Sequence, residues 1–207
     1  MSNAPSSAIS SNATARRFFA IQELLSSPEL ARFYTDFLVN TPTTVPAARD
    51  RLGLSKSTAY KYVNRLEELG ISEELDRLEG GSSLWRTDPV SGSWTDDGTA
   101  EFGPAVIAVY GATIVDDDLE LFVDRHGKAA LAPAVTETVE YLKGNTTRRG
   151  VADTLGVPAV EGIAISEAIE RIVAVAKDHD PALRDAVFEV EIHDRAVERA
   201  PYRRADE

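Results

Sequence analysis

A cluster of hydroxyls, amides and cations interrupts a chain otherwise dominated by carboxylates. Ser55, Lys56, Ser57, Thr58, Tyr60, Lys61, Asn64 and Arg65 lie between positions 55 and 65 with no acidic residue among them. At helical spacing Lys56, Ser57, Tyr60, Lys61, Asn64 and Arg65 share one side, while Ala59, Val63, Leu66 and Leu69 share the other. The apolar side can only pack. The polar side carries groups that suit nucleic acid: Lys, Asn, Ser and Thr can read base edges, and Arg and backbone amides anchor phosphates. Between Thr43 and Leu66 the cations Arg49, Arg51, Lys56, Lys61 and Arg65 face Asp50 alone, a local net of +4. The whole chain carries −12, which leaves −16 for the remainder. Solubility does not require a basic face on so acidic a protein, so the expected partner is double-stranded DNA.

These residues need elements to hold them. Gly53, bracketed by Leu52 and Leu54, supplies a position that tolerates positive φ, as a tight turn between two steeply crossing helices requires. Thr44 is the expected cap of a helix over Val45 to Leu52, and Ser55 caps a helix that runs to Leu69 before Gly70. Upstream, Ser27-Pro28-Glu29 reads as a helix start, followed by Leu30, Phe33, Tyr34, Phe37 and Leu38 in an amphipathic stripe that ends at Asn40-Thr41-Pro42. A shorter helix is expected over Arg17 to Leu25. Downstream, Ile71 to Leu78 and Ser83 to Thr87 read as strands joined at Glu79-Gly80-Gly81-Ser82, with Arg77 and Arg86 flanking the turn. Glu73, Glu74, Asp76 and Glu79 make the first strand acidic, so only the tip and Arg86 are expected to reach a phosphate backbone. This order, over residues 16–89, is that of a winged helix-turn-helix, in which the second helix of the pair enters the major groove by its N-terminal residues.

The segment from Leu54 to Ile71, LSKSTAYKYVNRLEELGI, resembles the recognition-helix signature of archaeal and bacterial winged helix-turn-helix regulators of the MarR, ArsR and TrmB type. That resemblance covers about a quarter of the chain. It implies that Lys56, Ser57, Thr58, Tyr60 and Lys61 face the groove. The acidic bias and the segment from Asp118 to Gly127 are similar to a haloarchaeal group of transcription regulators. Only five of the 22 cations are lysines, a Lys-poor acidic composition of the kind carried by proteins of salt-loving archaea. The competing reading is a winged-helix protein–protein interaction module, an adaptor or antitoxin-like partner without specific DNA readout.

The expected fold class is mainly α: the N-terminal winged helix-turn-helix followed by a helical C-terminal domain. Residues 1–15, rich in Ser, Ala and Asn, read as a disordered lead-in. Residues 90–103 read as a connector, 104–194 as the second domain and 195–207 as a charged, frayed tail. Pro104 to Val115 is too apolar for an exposed linker and suggests a homodimer interface or an interdomain core. Helices are expected over 116–126, 129–143, 148–155 and 159–177, with a late strand over Phe188 to Ile192. A shift of 103 residues superposes Thr43-Thr44 on Thr146-Thr147, Asp50 on Asp153, and Leu52-Gly53-Leu54 on Leu155-Gly156-Val157. The chemistry does not repeat. Ser55, Lys56, Tyr60 and Lys61 become Pro158, Ala159, Ile163 and Ala164, so the second copy reads as a packing or dimerisation unit.

Other chemistry finds no support. The absence of cysteine excludes disulfides, thiolate metal sites and Cys nucleophiles. His126, His179 and His193 lack metal-ligand spacing, and Asp116-Asp117-Asp118 reads as helix capping rather than a cation site. No Gly-x-Gly-x-x-Gly, phosphate loop or Gly-x-Ser-x-Gly is present. Trp85 and Trp94 read as core or wing residues. Neither enzyme activity nor a metal or other cofactor is expected. With no apolar run of spanning length and no basic-then-apolar leader, the expected location is the cytoplasm, away from membranes. Nothing in the sequence assigns an operator or an effector.

Overall fold

Five helix starts are decided by side chains that accept a backbone N–H. Ser27 accepts from Leu30 N, Thr44 from Ala47 N, Ser55 from Thr58 N, Asp116 from Leu119 N and Thr147 from Gly150 N. The computed structural model describes residues 6–95, 99–190 and 200–202. In chain order the elements are α1 (Ser6–Leu24), α2 (Pro28–Val39), β1 (Thr43–Thr44), α3 (Val45–Leu52), α4 (Lys56–Glu68), β2 (Ser72–Glu79), β3 (Ser82–Thr87), β4 (Gly92–Thr95) and β5 (Thr99–Phe102). Helices α5 (Pro104–Ala112), α6 (Asp117–His126), α7 (Leu131–Leu142), α8 (Arg148–Leu155) and α9 (Ala159–Ala176) follow. The protein is mainly helical with small antiparallel sheets. Among the described residues, no helix is long and apolar enough to cross a membrane.

Strand order in the larger sheet is β1-β3-β2, with Thr43 opposite Trp85 and Glu79 opposite Ser82. Gly80 and Gly81, at φ of 56° and 80°, make the two-residue turn, a conformation that suits the twist of a hairpin and penalises any residue with a Cβ. The two-residue strand β1 is too short to show an alternation and was not legible in the sequence. Strands β4 and β5 form a second hairpin within residues 90–103, where a connector was expected. The acidic tip Asp96-Asp97-Gly98 and the side chain of Trp94 lie outside the described residues.

A single hydrophobic core runs through both halves of the chain, from Ala20 and Leu24 to Tyr202. Residues Ala105 to Ala112 of α5 are all buried, and α5 packs on α2. The approach is close at Gly111, where a Cβ would stand 2.8 Å from the Arg32 Cα. The apolar stretch therefore serves as the core between the two halves, and its composition no longer argues for a dimer.

Three further expectations are corrected. Helix α1 begins at Ser6, so residues 6–15 are not a disordered lead-in; residues 1–5 lie outside the described residues. Ala20, Ile21 and Leu24 are packed at its end, and no Gly or Pro interrupts the chain between them and Ser6. Extension from a packed turn avoids the nucleation cost that a free helix bears. Phe188 to Val190 form no strand: the N–H groups of Glu189 and Val190 both donate to Leu142 O, which closes off α7. Residues 191–192 lie outside the description. In the tail, Ala200 and Tyr202 are buried rather than frayed, and the Tyr202 hydroxyl donates to Ala108 O at 2.7 Å. A lone aromatic in a charged segment carries no periodicity, so its insertion into the core had no sequence signal. Residues 195–199 and 203–207 lie outside the description.

Candidate nucleic-acid interface

Helix α4 is held by one side. Ala59, Val63 and Leu66 are fully buried, with Leu69 half-buried behind them. The Gly53 turn that delivers the helix has φ 66° and ψ 31°, left-handed backbone that favours glycine. Lys56, Ser57, Tyr60, Lys61 and Asn64 are exposed on the free side. Tyr60 keeps 42% of its surface accessible, and the Lys56 ammonium stands 5.9 Å from its ring centre. At the helix start the Ser55, Ser57 and Thr58 hydroxyls are hydrogen-bonded together at 2.8–3.0 Å. Helix geometry leaves the first-turn amides without an intrahelical acceptor, and such a turn attracts anions.

The arginines are less free than the charge count suggests. Arg51 does not belong to this surface at all. It grips the buried Asp36 carboxylate of α2 through two nitrogens at 2.7–3.2 Å and also donates to the Thr43 hydroxyl. Burial pushes Asp36 above the usual carboxylate range, against the pull of Arg51. Arg65 is bound by Glu23 of α1 at 3.0 Å and Glu68 at 2.8 Å. Arg49 pairs with Asp50, and Arg86 pairs with Glu73 on the neighbouring strand. Among the described residues, the cations of this set without an ion pair are Lys56 and Lys61. Counting within Thr43 to Leu66 missed Asp36 and Glu23, which stand 15 and 42 residues from their arginines.

The hairpin lies beside α4. Trp85 is buried and lines a cleft of about 210 Å³ with Pro46, Tyr60, Asn64, Glu67 and Glu74. Two of those lining groups are carboxylates, which makes the helix–hairpin cleft hostile to phosphate and leaves the start of α4 as the favourable part. Arg77 and Arg86 are exposed.

The second copy is reproduced in backbone detail and in more than the expected segment. Adding 103 to the bounds of α2 and α3 yields those of α7 and α8, and adding it to Lys56 yields the first residue of α9. Thr35 and Thr138 each donate to the carbonyl four residues back, at 2.9 and 2.8 Å. Gly156 has φ 67° and ψ 29°, within two degrees of Gly53 in each angle. What differs is the cover. Helix α6 packs on α9, and Glu161 near its start is bound by His126 at 2.8 Å and Arg125 at 3.3 Å. Ile163 and Ala164 are half-buried, and Ala168, at the place of Arg65, is buried. Asp116 of the acidic triplet caps α6 and binds Arg171 at 2.8 Å.

A family model described as a family of unknown function (DUF7437) matches residues 113–178. No curated protein and no solved structure matches the chain. The matched segment is less than half of the chain; it takes in α6 to α9, the second copy, and leaves α3, α4 and the hairpin β2–β3 outside it.

Proposed function

We propose that this protein is a sequence-specific DNA-binding transcription regulator, with residues 16–89 arranged as a winged helix-turn-helix and α4 as the helix that enters the major groove. One observation carries the reading. Two helical pairs share a backbone, and only the first leaves its second helix uncovered, with Lys56, Ser57, Tyr60, Lys61 and Asn64 presented together. A helix whose outer face serves packing has no use for two unpaired lysines at its start. Lys56, Lys61 and the first-turn amides would meet phosphates, while Tyr60, Asn64 and the hydroxyls meet base edges. Arg49 and Arg86 would flank the site and engage only if DNA displaces Asp50 and Glu73. A homodimer belongs to the proposal because a twofold pair of readers would place operator half-sites about one helical turn apart.

Selection of bound fragments from a random duplex pool, followed by anisotropy titration at two salt concentrations, tests this. An enriched motif bound at least a hundredfold more tightly than scrambled duplex is expected; uniform binding of all duplexes would overturn it. Sedimentation should give twice the chain mass of 22.5 kDa.

The second reading, a winged-helix module for protein partners, is favoured by the compensation of Arg49, Arg65 and Arg86 by carboxylates. It expects no enriched motif, and a partner whose binding depends on Tyr60 but is insensitive to salt.

A further inference from the structure

A cavity lies away from α4. It holds about 570 Å³ between the hairpin β4–β5, α5, α7 and the segment Asp180–Leu183, a volume typical of small-molecule sites. Its floor is aliphatic: Val106, Val135, Val139 and Leu183, with Phe102 at one side. Those aliphatic side chains offer no hydrogen bonds, so the part of an occupant that rests on them must be apolar. Its charged lining residues are Glu101, Glu140, Asp180 and Lys143. Lys143 is occupied by Glu140 at 2.9 Å, and Asn145 binds the other Glu140 oxygen at 2.7 Å. Asp180 is buried and accepts from the backbone N–H groups of Ala105 and Ala182. Neither Asp180 nor Glu101 pairs with a cation among the described residues. Three carboxylates against one engaged lysine make the field negative, which repels an anion and attracts an ammonium group.

One wall of the cavity touches the helix that touches α4. At Gly92 of β4, a Cβ would stand 3.0 Å from the Ile21 methyl of α1. Two residues further along α1, Glu23 holds Arg65 of α4. The cavity wall β4 and the Glu23–Arg65 contact thus meet on neighbouring residues of α1.

We infer that this cavity binds a small, largely aliphatic molecule bearing an amine, and that its occupancy changes DNA affinity through α1 and the Glu23–Arg65 contact. The regulatory half of this inference rests on the function proposed above; the binding half does not. The test uses the full chain with cyclohexylmethylamine and cyclohexanecarboxylate, probes of similar size and opposite charge. Methyl NMR is expected to show saturable shifts at Val106, Val135, Val139 and Leu183 for the amine, with the carboxylate at least tenfold weaker. Glu101→Lys, on the exposed rim, is expected to cut that preference at least tenfold. No saturable shift at millimolar amine, or equal or tighter binding of the carboxylate, overturns the site. On the selected duplex, saturating amine is expected to change affinity at least fivefold, and Glu23→Gln to reduce that change below twofold while amine binding persists. Amine binding with DNA affinity unchanged overturns the regulatory half alone. Amine binding by a protein that selects no duplex overturns the proposed function and leaves the site standing.

Discussion

Helices α3–α4 and α8–α9 share one backbone and differ in their outer faces. Both pairs begin at a capping threonine, turn at a left-handed glycine and bury the same side of the second helix. In the first, Gly70, at φ 69°, ends the descent and hands the chain to a hairpin; in the second, Val173 stands in its place and α9 runs on to Ala176. Where the first pair is fastened to α2 by Arg51 on buried Asp36, the second has Thr154 and Val139. Where the first exposes Tyr60 and Lys61, the second has Ile163 and Ala164, both half-buried. A shared backbone therefore does not fix how much of the second helix is covered. The residues on its outer face, and what packs against them, decide that.

The comparison breaks most visibly at the buried ion pair. Asp36→Ala leaves Arg51 without its partner beneath α3, and a loss of about 3 kcal/mol is expected in chemical denaturation, the low end for a broken buried pair because Arg51 is partly accessible. An unchanged midpoint would show that α3 does not depend on this clamp. On the exposed face, the double replacement Tyr60→Ala and Lys61→Ala is expected to weaken specific DNA binding by about 2–4 kcal/mol, at 1–3 kcal/mol for each discriminating contact. Its unfolding free energy should move by no more than about 0.5 kcal/mol, as for most surface changes. Loss of stability with binding intact would reverse the roles assigned to the two pairs.

The second pair is sharpened by a smaller change. Gly162 stands where the first pair has Ala59, and a Cβ there would meet Ala152, with its Cα only 2.6 Å away. Gly162→Ala should thus cost about 1–3 kcal/mol as an overpacked site, despite the higher helix propensity of alanine. A stabilised variant would mean that α8 and α9 approach no more closely than α3 and α4. Ile163→Ala should cost about 1–2 kcal/mol, below the range for a fully buried isoleucine because the residue is only half-covered, and folded protein should bind DNA as before. Abolished DNA binding in that variant would make the second copy the reader.

The least effect concerns salt. With two unpaired lysines on each face, the slope of log affinity against log salt should be about −2 for each bound protomer, and about −4 for the homodimer, at −0.9 per neutralised phosphate. A slope steeper than about −4 for each protomer would show that Arg49, Arg65 and Arg86 leave their carboxylates for DNA.

Much of the local structure was legible from short stretches. Ser27, Thr44, Ser55, Asp116 and Thr147 mark helix starts, Gly53 and Gly156 mark matching turns, and the period of Ala59, Val63 and Leu66 separates the packed side of α4 from its polar side. Each signal depends on contacts within four residues, which sequence spacing alone determines. The tertiary structure decided what lay between distant elements: that Arg51 is spent on Asp36, that Arg65 is held by Glu23, and that α5 is interior. It also placed α6 over α9, brought Tyr202 back into the core and left a cavity beside β4. Those outcomes depend on which surfaces meet when helices pack. A charge count or an apolar run is blind to them, because the partner that neutralises a cation or covers a helix can stand anywhere along the chain.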